Sequence, residues 1–498
     1  MTGTLAARWL VEYARRPLNL VLLIAVPVIF VTLSAGALAD FADILGGPAD
    51  MGEVEAATAG WAAAVLAGVA GFFHVSTSRE ADHRLAVAGA GARRVVASRM
   101  VSTLILAAAA AVGALVALAV RADAAVTPRV IAVTLLFAVI YAGVGVTVGA
   151  LVRSEMNGSL IVLFLWVFDV FFGPAMRSTA AVLRLLPLHF PTLIITDVAS
   201  SHAGSPGDLG WSLAWATITM SAAAVSLTIT TRPRHQSVRH AAPTLRRMTA
   251  GLIAAGRQLR RMPAMWVLIV GLPVLFISAA IATTPNEPTP VELVENGRRS
   301  LRILSMADVH GATMVPITVG FLASLIGLFV ILDSAQADRR LALSRYRTTE
   351  IVTVRLAVIA AASLTATAVA IAVTALSFDA VNWPVFVIAN ILVALTYATI
   401  GVIVGPLFGR LGGLYLLLVL SFVDIGLAQN AMFDAAPPAW GRYLPAHAAV
   451  RVMMDSAFTT TFDETGSLTL ALAWLATLGA LAVAVFRRTS TVGSSASR

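Results

Sequence analysis

The sequence predicts an all-α integral membrane protein with twelve transmembrane helices, arranged as two parallel repeats of six helices. Three observations predict this fold: the composition, a succession of long apolar segments, and an internal repeat. Of the 498 residues, 58% are hydrophobic and 12% are charged, and the mean hydropathy is +0.87. Because a soluble domain carries about twice that charged fraction, most of the surface of this chain has to face lipid.

The residue types that the sequence lacks exclude several kinds of site. The chain contains no cysteine, and all 35 residues in its Lys+Arg count are arginine. Disulfides, thiolate metal sites and cysteine nucleophiles are therefore excluded. A P-loop is excluded as well, because that motif needs a lysine to reach the phosphates. We predict no catalytic, cofactor-binding or metal site in this chain.

Twelve segments are long and apolar enough to cross about 30 Å of hydrocarbon as helices. The first is interpreted as a retained span rather than a cleaved signal peptide. Two of the longer segments contain several glycines, so we expect them to tilt or break. The predicted spans are residues 18–38, 57–78, 98–120, 127–152, 157–176, 209–231, 264–283, 312–333, 355–377, 381–406, 411–430 and 467–486.

The distribution of arginine predicts which loops face the cytoplasm. If the N-terminus lies inside, the inner segments contain 26 of the 35 arginines and the outer segments contain 17 of the 26 acidic residues. Cytoplasmic loops carry such an excess of basic residues. We expect a multi-pass protein of the bacterial plasma (inner) membrane with both termini in the cytoplasm. The net charge of +9 then faces anionic lipid, and no nucleic-acid partner is needed to explain it.

The first half of the sequence matches the second half. TLLFAVIYAGVGVTVGALV (134–152) aligns with NILVALTYATIGVIVGPLF (390–408), and ADHRLA (81–86) aligns with ADRRLA (337–342). An even number of spans in each half gives both halves the same orientation, so the repeats are parallel. We divide the chain into a first six-span half, a basic cytoplasmic linker with a connecting helix, and a second six-span half, at residues 1–231, 232–263 and 264–498.

The fifth apolar segment of each half contains an aspartate. Asp169 lies in LFLWVFDVFFGP (163–174), and Asp424 lies in LVLSFVDIGLAQ (418–429). Asp169 follows Asn157 by about 18 Å along the predicted helix, which places the carboxylate near the middle of the membrane. A charged carboxylate there costs at least ~3 kcal/mol, so it has to face protein or water.

Two interpretations of these aspartates are open. In the first, Asp169 and Asp424 line a translocation path together with Tyr141 and Tyr397. In the second, each aspartate makes a structural hydrogen bond between helices, for instance to one of those tyrosines. The equivalent positions of the two aspartates do not decide between these roles.

The loop after the second span has the same order of residues in both halves: an acidic residue, Arg-Leu, a turn, and then an arginine that begins the third span. Arginine-rich segments also precede the first span of each half, and a Leu-Pro-x-His motif follows each fifth span. In this order, the features resemble the permeases of the ABC type-2 exporter family over nearly the whole chain. The family's usual Gly-Thr and loop proline are missing. The matching residues are Glu80, Asp82, Arg84, Leu85 and Arg99, and Asp338, Arg340, Leu341 and Arg355.

The resemblance implies a permease subunit that exports a hydrophobic or amphipathic substrate, such as a drug, an antibiotic or a lipid. It implies two copies of a separate ABC ATPase subunit, which bind ATP and Mg and receive the loops at 79–95 and 335–351. The alternative for these loops is that they are merely solvated. The alternative function is a proton-coupled secondary multidrug transporter with Asp169 and Asp424 as proton carriers. An enzyme acting on lipid-linked sugars is disfavoured, because the acids of the outer loops are dispersed.

Overall fold

The structure is a computed structural model, and it describes residues 5, 7–9, 11, 17–47, 50–121, 126–176, 181–196, 205–230, 263–295, 297–343 and 348–495. These residues are 83% helical, and nine helices among them are long and apolar enough to cross a membrane. The chain is therefore a helical, multi-pass membrane protein. Its residues form two compact units, Met1–Arg239 (unit 1) and His240–Arg498 (unit 2).

Among its described residues, unit 1 has eight α-helices from Pro17 onwards, and six of them follow the order of the predicted spans. Polar residues begin two of them, because the first backbone N–H groups of a helix need an acceptor. The Thr127 hydroxyl accepts from the Val130 N–H at 3.2 Å, and the Ser154 hydroxyl accepts from the Asn157 N–H at 3.3 Å. The helices are α1 (Pro17–Ile44), α2 (Met51–Ser76), α3 (Arg79–Leu85), α4 (Ala92–Arg121), α5 (Pro128–Leu151), α6 (Glu155–Phe171), α7 (His189–Thr196) and α8 (Ser205–Thr230).

The described residues of unit 2 form six α-helices and a hairpin. A π-helical stretch, Phe422–Ala428, continues directly from the fourth helix of this unit, and a 3-10 turn, Gly441–Tyr443, precedes the fifth. The elements are α9 (Pro263–Thr283), β1 (Pro288–Glu295), β2 (Arg298–Ser305), α10 (Met306–Leu343), α11 (Thr348–Thr374), α12 (Trp383–Ser421), α13 (His447–Phe458) and α14 (Thr465–Ser495).

Three features explain why the described residues contain nine long apolar helices and not the twelve predicted spans. Helix α6 has only 17 residues, and the apolar part of α9 is also short, at Ile269–Thr283. The predicted spans 381–406 and 411–430 lie in one continuous apolar stretch, Trp383–Ala428, which is interrupted by Gly409 with a non-helical φ of 69°. A glycine tolerates that backbone conformation without strain. The predicted linker 232–263 lies outside the described residues, except for Pro263.

The hairpin in unit 2 was not predicted. Strands β1 and β2 pair in antiparallel register around Gly297, whose φ is +70°. The N–H of Glu292 donates to the carbonyl of Ala435 at 2.8 Å, so the hairpin also pairs with the chain that follows the π-helix. The sequence signal was Asn296-Gly297 between two segments in which apolar and polar residues alternate. That pattern favours a tight hairpin turn. A search for long apolar segments passes over so short an element.

The second and fourth long helices of each unit cross at a small residue. A side chain at Gly145 of α5 would lie 1.9 Å from the carbonyl oxygen of Gly68 in α2. A side chain at Gly401 of α12 would lie 2.0 Å from the carbonyl oxygen of Ser324 in α10. Such close backbone approach requires glycine, and it sets the position of Tyr141 and Tyr397, one turn before each glycine.

Candidate functional site

In unit 1, the carboxylate of Asp169 joins three elements. The hydroxyl of Tyr141 in α5 donates to Asp169 Oδ2, and the backbone N–H of Leu188 donates to Asp169 Oδ1 at 3.1 Å. Asp169 is 1% exposed and Tyr141 is fully buried. Leu188 immediately precedes α7, and its carbonyl accepts the N–H of Thr192 at 3.0 Å, so it is the N-cap residue of that helix. We call Asp169 with its two partners the unit 1 anchor.

In unit 2, Asp424 has the equivalent partners. The hydroxyl of Tyr397 donates to Asp424 Oδ2 at 2.6 Å, and the backbone N–H of Ala446 donates to the same oxygen at 2.9 Å. Asp424 and Tyr397 are both fully buried. Ala446 immediately precedes α13, and its carbonyl accepts the N–H of Val450 at 2.9 Å. We call Asp424 with these partners the unit 2 anchor.

Each aspartate lies close to the end of a long helix, and its expected depth near the middle of the membrane stays a prediction. Helix α6 ends at Phe171, not at residue 176, so Asp169 is the third residue from its end. Asp424 lies in the π-helical stretch Phe422–Ala428. Both carboxylates therefore lie where the chain leaves a long helix. The hydrogen bonds to tyrosine are those of the structural interpretation; a role in lining a path stays a prediction.

A polar chain extends the unit 2 anchor. The Nε2 of Gln429 lies 3.5 Å from Asp424 Oδ1 and donates to the carbonyl of Gly441 at 2.9 Å, while its Oε1 lies 2.8 Å from Nδ1 of His447. Burial lowers the pKa of His447, and the charge of Arg451 lowers it further. A neutral His447 can donate its Nδ1–H to Gln429. The imidazole thus supports the loop that leads into α13.

Beside α13, two acidic residues hold one arginine. The guanidinium of Arg451 donates to Glu464 Oε1 at 2.7 and 2.8 Å, and it lies 3.7 Å from Glu292 of β1. Burial alone raises the pKa of Glu464, but the hydrogen bonds from Arg451 and Ser467 outweigh it and lower this pKa. Arg451 therefore ties α13 to the start of α14 and to the hairpin.

In each unit, an arginine near the start of the third long helix forms a buried ion pair with an aspartate that precedes this helix, in the short helix α3 of unit 1 and in the last part of the long helix α10 of unit 2. The predicted loop 335–351 is therefore wrong in part, because α10 continues to Leu343. In unit 1, Arg99 of α4 donates to both carboxylate oxygens of Asp82 at 2.7 Å, and both side chains are at most 4% exposed. In unit 2, Arg355 of α11 donates to Asp338 at 2.8 and 3.0 Å. Two parallel N–H···O bonds make this the geometrically specific form of an ion pair. Asp82 therefore fixes α3 to α4, and Asp338 fixes the last part of α10 to α11.

The other loop residues named from the sequence have different surroundings. Glu80 and Arg84 pair with each other on the surface of α3, with side chains 80% and 74% exposed. Leu85, the last residue of α3, is half-buried. Arg340 and Leu341 belong to α10, but their side chains lie outside the described part of the structure. Only Asp82 and Asp338 have a described role inside the protein.

Sequence reasoning missed several partners of these groups. The Arg99 guanidinium lies 3.8 Å from the ring centre of Trp9, and His74 lies 3.2 Å from Arg99 and 2.7 Å from the hydroxyl of Ser102. The donors Leu188 and Ala446 use their backbone N–H, so their side chains gave no signal. Their position inside each Leu-Pro-x-His motif was the available signal. Among the described residues, no group of three or more His, Asp or Glu side chains could hold a metal ion.

A comparison of the chain with models of known protein families found no match, and a search of curated proteins found none either.

Proposed function

We propose that this chain is the permease subunit of an ATP-driven exporter of the ABC type-2 kind. Twelve spans form two parallel six-helix repeats in the bacterial plasma membrane, with both termini in the cytoplasm. Two copies of a separate ATPase subunit bind ATP and Mg and drive transport. The substrate is hydrophobic or amphipathic, in the class of drugs, antibiotics and lipids, and this chain binds no cofactor.

The observation that carries this proposal is the buried ion pair that recurs near the start of the third long helix of each unit. A subunit driven from outside needs a rigid connection between the surface that its motor contacts and the helices that move. Asp82–Arg99 and Asp338–Arg355 make such a connection in each unit, because both carboxylates are buried against the next long helix. The exposed side chains of Glu80 and Arg84 remain at the surface for a polar partner.

The architecture of the helices also supports twelve spans. Helices α6 and α9 are apolar and have 17 and 21 residues, close to the length that crosses a bilayer. The break at Gly409 divides the Trp383–Ala428 stretch into two parts of spanning length. Counting α6, α9 and both parts of this stretch restores the predicted six spans in each unit.

The proposal is tested by changing Arg84 and Arg340 together to Glu. Reversing both charges is expected to reduce substrate-stimulated ATP hydrolysis by the copurified complex at least about tenfold, because like charges at a polar interface cost several kcal/mol. Membrane insertion should be unchanged. The matched control is Arg442→Glu, an exposed arginine between α12 and α13, which should leave hydrolysis within about twofold of the parent.

Three results would contradict this function. One is native purification without any ATPase chain. Another is unchanged hydrolysis in the double variant. The third is transport that stops with a proton uncoupler but continues after ATP depletion, which would favour proton coupling through Asp169 and Asp424.

A further inference from the structure

The two anchors have the same partners although the chain around them differs. Asp169 is 19 residues from its backbone donor, whereas Asp424 is 22 residues from its own. Asp169 lies in an α-helix and Asp424 in a π-helix. Loop length and helix type thus change between the units, while the tyrosine hydroxyl and the N–H before the short helix stay on the carboxylate. The contact is therefore not a by-product of one loop geometry.

We propose that Asp169 and Asp424 are positioning residues that fix the N-terminal ends of the short helices α7 and α13 to the long helices. The N–H groups at the start of a helix have no partner within it, and they form the positive end of the helix dipole. A buried carboxylate accepts a hydrogen bond from such an N–H group, and its negative charge is stabilised by the positive end of the dipole. Release of either short helix from its unit requires this bond to break.

The surroundings of Asp424 explain why a carboxylate is needed there. Its neighbours are all donors: the Tyr397 hydroxyl, the Ala446 N–H and, at longer range, the Gln429 amide. A carboxylate presents acceptors only. Because the two shorter bonds share Oδ2, an asparagine of the same size would accept them with a neutral instead of a charged oxygen, and its NH₂ group would face the Gln429 amide. Asp424→Asn is therefore expected to weaken the anchor without creating a cavity.

The absence of cysteine from the chain makes this inference directly testable. Ala449 lies in the first turn of α13 and is 2% exposed, so a cysteine there reports release of the helix. The purified full-length protein with Ala449→Cys is treated with a water-soluble maleimide. Adding Asp424→Asn is expected to raise the labelling rate about tenfold or more, since hydrogen bonds to charged groups are the strong ones.

Matched variants separate the anchor from general loosening. Asp379→Asn changes an exposed aspartate in the same unit and should leave labelling at residue 449 unchanged. Tyr397→Phe removes one donor but keeps the backbone bond, so it should raise labelling less than about threefold. A reporter at Ala394, fully buried in α12, should label no faster with Asp424→Asn.

Unit 1 provides an independent test if Asp424→Asn does not fold. There, Asp169→Asn is expected to raise labelling of a cysteine at Leu193 of α7, which is 5% exposed. Unchanged labelling in a folded variant overturns the proposal, and so does an equal increase at Ala394 and Ala449. The assay involves no nucleotide or substrate, so its outcome does not depend on the proposed transport function.

Discussion

The ion pair between Asp338 and Arg355 illustrates how single buried charges depend on each other. Their side chains are 9% and 11% exposed, and the hydroxyl of Ser334 also donates to Asp338 at 2.9 Å. Removing one partner of a buried pair leaves a charge without compensation, which costs about 3–5 kcal/mol. Removing both partners in favour of apolar residues costs much less.

We therefore expect Arg355→Met to lower the thermal stability of the purified protein clearly, and Asp338→Leu with Arg355→Met to restore most of it. Arg84→Met is the matched control, because the exposed pair that it breaks contributes only ~0–1 kcal/mol. Thermal unfolding followed by circular dichroism measures all three variants. Two results would show that the pair does not stabilise the contact between α10 and α11. One is an Arg355→Met variant as stable as the parent, and the other is a double variant no more stable than Arg355→Met.

At this scale, the sequence predicted which residues matter better than it predicted what they touch. The matched order of Asp82 with Arg99 and of Asp338 with Arg355 was visible as a repeated pattern. The tyrosine partners of the aspartates were named as one alternative. The backbone donors Leu188 and Ala446 could not be identified, because every residue except proline has a backbone N–H. The contact of Arg99 with Trp9 could not be identified either, because the two residues are far apart in the sequence.

At the scale of elements, the crossing of α10 and α12 depends on Gly401. A methyl group at residue 401 would lie 2.0 Å from the carbonyl oxygen of Ser324 and 2.9 Å from the backbone nitrogen of Leu328. Both are backbone atoms, so neither can move away without a shift of α10. Overpacking of this kind typically costs about 1–3 kcal/mol. Gly401→Ala should therefore lower thermal stability, whereas Gly479→Ala in α14, which has open space around it, should not. Equal stability of the two variants would contradict the close crossing.

Elements were predicted as far as hydropathy extends. Long apolar helices follow from the need to keep apolar surface in contact with protein or lipid. The nine long apolar helices of the described residues therefore lie where the sequence predicted spans. The end of α6 at Phe171, the π-helical stretch after α12 and the hairpin β1–β2 were missed. These features depend on local backbone geometry. The end of α6 did have a local signal, because Gly173-Pro174 follows it closely, but a search for long apolar segments passes over that signal.

At the scale of the whole molecule, two units of similar design follow each other in the chain. In each unit, the second and fourth long helices cross at a glycine, and an aspartate anchors a short helix. In each unit, an ion pair also fixes the third long helix to the segment before it. The alignment of the two halves predicted these positions as pairs before any contact was known. The hairpin and the Gln429–His447 contact are described in unit 2 alone, although the Leu-Pro-x-His motif gives His447 a counterpart, His189, in unit 1.

The central claim is that these units are parallel repeats in one membrane, and topology mapping tests it most directly. Single cysteines at Ala90 and Thr348, in the loops after the second and before the third predicted span of each half, are placed in the naturally cysteine-free chain. A membrane-impermeant maleimide is then applied to intact cells and to inverted vesicles. We predict that both positions react only in inverted vesicles. Reaction of one from each side of the membrane would contradict the account.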